Sequence, residues 1–114
     1  MAREARGWGT PLTGNCGYSA VGLVVGATKP EQASRLRQLV PHAFFLVPGL
    51  GAQGARPEDL KPFFNSDGLG ALVTVSRSLI YANEAHPGTT LEDAVGKEAE
   101  ALARQVRTVL GRAA

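Results

Sequence analysis

Three short stretches of the chain are continuously apolar: residues 21–27 (VGLVVGA), 43–47 (AFFLV) and 71–75 (ALVTV). Runs of this length without alternation predict strands covered on both faces, as in a parallel sheet. Between them the spacing turns helical. Ala33, Leu36, Leu39 and Val40 recur at three- and four-residue steps, which predicts a helix whose Arg35 and Arg37 point away from the apolar face. Thr28, Pro30 and Glu31 open it with a capping-box pattern and a first-turn proline, and Pro41 ends it. Residues 57–64 predict a second, short helix, with Glu58 and Asp59 at the end where the helix dipole favours acids and Pro62 weakening its interior. The longest helix follows a second capping box, Thr89 with Glu92. Leu91, Val95, Leu102, Val106 and Val109 trace one face of it as far as Gly111, with Gly96 a soft spot.

The order strand–helix–strand–short helix–strand–helix predicts the α/β class, with a parallel sheet and right-handed crossovers. Residues 1–20 fit this alternation poorly. Residues 1–6 read as the end of a helix and 8–18 as a glycine-rich loop. Three parallel strands form a thin sheet with two open edges, so residues 1–114 are expected to be a single unit that belongs to something larger.

Composition narrows the classes. Of 114 residues, 44% are apolar, enough for a packed core and too many for a disordered chain. Twelve Lys and Arg against ten Asp and Glu leave a net charge of only +2 with no run of like charges, so nothing points to nucleic acid or a membrane surface. The longest apolar stretch, residues 43–52, is broken by Pro and Gly and falls short of the roughly 18 residues a membrane span needs. No signal-peptide pattern follows Met1, so a soluble, cytoplasmic protein is expected. The single cysteine, Cys16, excludes an internal disulfide and a multi-cysteine zinc site, and is expected to be an inert thiol.

Two loops carry candidate chemistry. Pro48-Gly49-Leu50-Gly51-Ala52-Gln53-Gly54 follows the second strand. Three glycines let this backbone turn sharply and expose its N–H groups, and Gln53 adds an amide with both donor and acceptor, the makings of an anion site. Ser76-Arg77-Ser78 follows the third strand. An Arg at the C-terminal end of a parallel strand sits where α/β proteins place their sites, and in (β/α)₈ barrels the loops after the last two strands often share a phosphate. His42 and His86 read as surface histidines. Asp59, Asp67, Glu84, Glu92 and Asp93 read as caps and solvated faces. No metal-ligand spacing and no nucleophile elbow is present.

Gly17-Tyr18-Ser19-Ala20-Val21-Gly22-Leu23-Val24-Val25-Gly26-Ala27-Thr28, then Phe45-Leu46-Val47-Pro48-Gly49-Leu50-Gly51-Ala52-Gln53-Gly54, then Ser76-Arg77-Ser78-Leu79-Ile80-Tyr81-Ala82 resemble the orotidine 5′-phosphate decarboxylase family, in particular its longer bacterial branch. The motifs stand in the family's order and spacing, from about Trp8 onward. The resemblance implies the C-terminal part of a (β/α)₈ (TIM) barrel, about strands 6–8. It implies conversion of orotidine monophosphate to UMP and carbon dioxide without cofactor or metal, in a homodimer whose sites are completed by the neighbour. By the same resemblance Gln53 would bridge phosphate and pyrimidine, and Arg77 would hold the phosphate with its guanidinium. The Ser76 and Arg77 N–H groups would bind phosphate oxygens, and Pro48 would lie against the base. Gly49, Gly51 and Gly54 would shape the loop.

The chain also departs from the family. Ala55 and Arg56 follow Gly54 where relatives often have a further glycine, which would restrict the loop if that position needed φ > 0. The family's D-x-K-x-x-D motif, which supplies the lysine that protonates the carbanion, is missing. Asp59-Leu60-Lys61 starts such a pattern, but Phe64 stands at its second Asp, and Lys61 reads as a solvated helix lysine. No catalytic residue is therefore expected in this chain, which alone should be inactive unless the missing N-terminal half completes it. The alternative from another class is a non-catalytic half-barrel that binds UMP-like phosphates and is stabilised by self-association. A third reading is another phosphosugar barrel.

Overall fold

The computed structural model describes residues 1–51 and 53–111; expectations that touch Ala52 or residues 112–114 lie outside the described residues. Each apolar run forms a strand: β1 (Leu23–Val24), β2 (Phe45–Val47) and β3 (Ala71–Val73). They are shorter than the runs. Gly22 and Gly26 flank β1 and weaken a strand, while Pro48 has no N–H to extend β2. The sheet is parallel, in the order β1-β2-β3. Leu23 lies opposite Phe45, and Phe45 opposite Ala71; the next row is Val24, Leu46 and Leu72.

The helices alternate with the strands as the pattern predicts, and short ones are added. α1 (Ala2–Gly9) runs on into a 3₁₀ turn, Thr10–Leu12, so the first residues are helical further than expected. α2 (Pro30–Leu39) links β1 to β2, and a 3₁₀ helix, Pro57–Phe63, links β2 to β3. After β3 come two single-turn helices that the periodicity missed, α3 (Arg77–Ile80) and α4 (Ala82–Ala85), then the long α5 (Leu91–Val109). Neither expected capping box forms. Lys29 stands at the N-cap of α2 with no side-chain bond, because Pro30 takes the first helical position. In α5 the cap is one residue later than expected: the Thr90 hydroxyl accepts from Asp93 N–H at 3.2 Å, while Thr89 donates to the His86 carbonyl.

The core lies on one side of the sheet. Phe45, Val47, Leu60 and Phe63 are fully buried, and Ala33 and Val40 of the α2 region join them. Leu102 and Val106 of α5 pack against that cluster as the helical pattern predicts, although Leu91 of the same stripe is exposed. The other face corrects the expectation that both faces are covered. Val24 is 70% exposed, Leu46 41% and Leu72 57%. The apolar runs carry a second buried face in their sequence, and no element among the described residues lies on it. Covering such side chains is worth roughly 1.5–3 kcal/mol each.

The second correction is Arg37, which does not point away. It is 7% exposed, and its guanidinium lies 3.7 Å from the centre of the Phe45 ring. Nε and Nη2 donate to the Phe63 carbonyl at 3.1 and 2.7 Å, Nη1 to Ala43 at 2.6 Å, and Nη2 to Gly70 at 2.8 Å. One planar fork thus ties the end of the 3₁₀ helix to the entries of β2 and β3. Burial lowers the Arg37 pKa, and nearby Tyr18 and Asp67 oppose that shift. Asp67 is exposed, as expected; it caps Leu69 N–H at 2.9 Å and also accepts from Tyr18 Oη at 3.2 Å. Asn65 donates to Tyr18 Oη and to the Pro41 carbonyl, and Tyr18 stacks on Phe44. Gly70, at φ +96°, leaves room for this group: a Cβ there would lie 3.2 Å from Arg37 Nη2.

Arg37→Met is expected to destabilise the fold by about 3 kcal/mol or more, because it strands the Phe63, Ala43 and Gly70 carbonyls. Arg37→Lys should recover only part of that, having no fork. Urea denaturation reads both; a loss below about 0.5 kcal/mol, the range of ordinary surface changes, contradicts the assigned role.

Candidate functional site

The loop after β2 is pinched at its base and open at its tip. Leu50 and Ala55 form an isolated parallel bridge and are both buried, with Gly51 N–H donating to the Ala55 carbonyl at 2.9 Å. These two apolar anchors were not legible in the sequence as such. Gly54 N–H donates to the Gly51 carbonyl at 3.0 Å. Gly49, Gly51 and Gly54 have φ of +103°, +75° and +87°, so the three glycines stand where the backbone is left-handed. No described non-glycine residue has positive φ, so Ala55 imposes no such strain. Pro48 is half-buried at the end of β2, and its carbonyl accepts from Ala27 N–H at 2.9 Å. Gln53 is exposed, and its amide folds back over the loop: a Cβ on Gly49 would lie 2.7 Å from Gln53 Oε1.

Below the loop, Arg56 N–H donates to Asp59 Oδ2 at 3.0 Å and the Asp59 N–H donates to the Arg56 carbonyl, which fixes the entry of the 3₁₀ helix. Asp59 is thus a cap, as its position predicts. Lys61, on the same helix, is exposed.

The loop after β3 turns directly into α3. The Ser76 carbonyl accepts from Leu79 and Ile80 N–H at 3.1 and 2.9 Å. The N–H groups of Ser76, Arg77 and Ser78 donate to no protein acceptor among the described residues. Arg77 is exposed, and it makes no ion pair with any described residue. Both loops leave the same edge of the sheet, the C-terminal ends of neighbouring parallel strands.

An open groove of about 580 Å³ brings part of the candidate set together. Gly51, Ser76 and Arg77 line it together with Ala55 and with Glu98 and Gln105 of α5. Pro48, Gly49, Gln53 and Gly54 do not line that groove. The α5 residues in its wall carried no sequence signal beyond their polarity. His86 is half-buried and its Nε2 lies 3.3 Å from Glu98 Oε2, which ties the end of α4 to α5. His42 is exposed, with Nδ1 2.9 Å from the Gly17 carbonyl. Cys16 is free and exposed. Among the described residues no group of three His, Cys, Asp or Glu side chains could hold a metal ion, and no helix is long and apolar enough to cross a membrane.

A parallel sheet with helices packed on one face, an unmatched apolar face behind, and glycine and arginine loops at the C-terminal strand ends is part of a (β/α)₈ barrel. No protein-family model matches the chain. The orotidine 5′-phosphate decarboxylase of Caldicellulosiruptor bescii is 51% identical over 82 residues, which are 72% of this chain and 27% of that protein. The enzyme of Clostridium botulinum (strain Langeland) is 41% identical over 96 residues, 84% of this chain and 31% of that protein. The solved structure of Leishmania donovani OMP decarboxylase superposes with a TM-score of 0.69 at 32% identity, covering 96% of this chain and 37% of that one. The chain belongs to the orotidine 5′-phosphate decarboxylase family and matches a C-terminal portion of it, spanning about a quarter to a third of the length of these curated relatives.

The loop geometry gives a direct test. Gly49→Ala and Gly54→Ala both meet left-handed backbone, a strain of about 1–2 kcal/mol. Each should lower the melting temperature, and by similar amounts, because the Gln53 amide that a Gly49 Cβ would meet is the end of an exposed side chain that can swing aside. An unchanged melting temperature for either variant would contradict the left-handed loop backbone.

Proposed function

We propose that this chain serves as the phosphate-holding C-terminal part of an orotidine 5′-phosphate decarboxylase, which converts orotidine monophosphate to UMP and carbon dioxide. The observation that carries the reading is the pairing of an ion-free Arg77 and the unpartnered Ser76–Ser78 N–H groups with Gly51 across one groove. A guanidinium offers two parallel N–H bonds that match phosphate oxygens, and such charge-assisted bonds are among the stronger ones. Backbone N–H groups beside it complete the oxygens' coordination. Gln53 bridges from the phosphate to the pyrimidine, and Pro48 lies against the base. Gly49 and Gly54 give the loop the turns that carry Gln53.

Phosphate binding is remote from the reacting bond. Its energy orients the ring and holds the loops over it, which lowers the barrier only through interactions realised at the ring. There the bond between the ring carbon and the carboxylate breaks, carbon dioxide leaves, and the electron pair left on the carbon takes a proton from a lysine. Lys29, Lys61 and Lys97 are exposed and none lines the groove, so the proton donor comes from outside these residues. The reading uses no metal and no organic cofactor. It places the protein in the cytoplasm as a homodimer, with residues 1–114 as one partial barrel unit and the rest of the barrel supplied by further polypeptide. The exposed row Val24, Leu46 and Leu72 supports that last point, since a barrel interior is filled by such layers.

Calorimetric titration tests the reading. The native protein should bind UMP and not ribose 5-phosphate, and Arg77→Ala should weaken UMP about 10- to 100-fold, the worth of a charged hydrogen-bonding pair. Pure 114-residue chain should release no carbon dioxide from orotidine monophosphate. Equal binding of ribose 5-phosphate would favour another phosphosugar barrel. UMP binding by a stable dimer of this chain alone would favour a non-catalytic binding module, and turnover by the pure chain would overturn the assignment of the proton donor elsewhere.

A further inference from the structure

Two carboxylates share the groove with Arg77. Glu84 of α4 is exposed, and Glu98 of α5 is half-buried. A guanidinium and a carboxylate along one groove attract each other, and the arginine fork fits a carboxylate as it fits a phosphate. Such a pair would occupy the donors that a bound phosphate needs. Arg77 pairs with neither acid. Water screens the exposed Glu84. Glu98 is the stronger competitor, and it is held elsewhere. His86 Nε2 lies 3.3 Å from Glu98 Oε2, with the two side chains 31% and 32% exposed.

The backbone fixes His86 in that place. Its N–H donates to the Ala82 carbonyl at 3.1 Å, and its carbonyl accepts from the Thr89 hydroxyl at 2.8 Å. Ala82 is fully buried and seats α4 without help from a charge. Among the described residues, the His86–Glu98 contact is the one side-chain hydrogen bond or ion pair between residues 77–86 and α5. A partly exposed pair of this kind adds little to stability, so packing of α4 does not call for it. What it does change is where the Glu98 carboxylate points.

We infer that His86 is a positioning residue, which holds the Glu98 carboxylate off Arg77 and so keeps the guanidinium free for the phosphate of the bound nucleotide. The inference rests on the function proposed above. His86 touches no ligand and acts through Glu98. The imidazolium and the neutral ring protonated at Nε2 both donate the bond it needs.

The test uses the protein isolated from its own cells, with each substitution introduced in the chromosomal copy, and measures UMP affinity by calorimetric titration. His86→Phe keeps a ring and removes the donor. It should weaken UMP about two- to fivefold, the range of a partly exposed ion pair. His86→Gln, whose amide carries a donor to the same place, should restore binding. The double variant His86→Phe with Glu98→Gln has no carboxylate left to compete, and should bind UMP within about twofold of the unsubstituted protein because the two changes are coupled. A merely structural role for His86 would leave the double variant as weak as the single one, or weaker. That result, an unchanged affinity in His86→Phe, or no recovery in His86→Gln overturns the inference and leaves the proposed function standing. Should His86→Phe not fold, His86→Ala replaces it with the same expectations. Failure of the unsubstituted protein to bind UMP at all would overturn the proposed function and this inference with it.

Discussion

The guanidinium of Arg37 holds together the end of the sheet on which everything else is built. A parallel sheet needs its strand entries brought side by side by connections that run the length of the domain. Here the carbonyls of Ala43 and Gly70, at the entries of β2 and β3, share one donor group with Phe63 at the end of the intervening 3₁₀ helix. A buried charge is tolerated because its donors are matched by carbonyls and its flat face lies on the Phe45 ring. Tyr18, Asn65 and Asp67 close the same end of the sheet. With the entries fixed, Phe45 and Val47 drop into the core, and β2 and β3 leave the opposite end in register.

That opposite end has a different character. The N-terminal ends carry side chains that satisfy one another, and the C-terminal ends carry groups with no partner among the described residues: Arg77, the Ser76–Ser78 N–H groups and the Gln53 amide. On the proposed function, stability and ligand binding divide between the two ends of the strands, as they do in (β/α)₈ barrels generally. The division lets the glycine loop be shaped by φ alone, with Leu50 and Ala55 holding its base in the core.

The apolar runs, the α2 and α5 stripes and both loops were legible because each is a local pattern: continuous hydrophobicity, helical spacing, or glycines beside a strand end. Arg37 was not legible, because nothing in its own helix separates an arginine facing solvent from one reaching three distant carbonyls. The contact between Asp67 and Tyr18 was hidden for the same reason, since the two stand 49 residues apart. The caps of α2 and α5 slipped by one residue, which is ordinary where two Thr or a Lys-Pro pair compete for the position. The expectation of a sheet covered on both faces came from the runs themselves. They describe the environment of a whole barrel, whereas the described residues cover one face only. Ala55 shows the reverse case, a departure from the family that looked costly and is harmless once its backbone is seen to be right-handed or extended.

If this open sheet is a nucleotide-gripping part of a larger barrel, native mass spectrometry of the protein from its source cells, with and without UMP, should find a folded species at least about twice the mass of the 114-residue chain, as a barrel of about 250 residues requires, carrying UMP in each barrel. A folded monomer of this chain alone that takes up no UMP would contradict it.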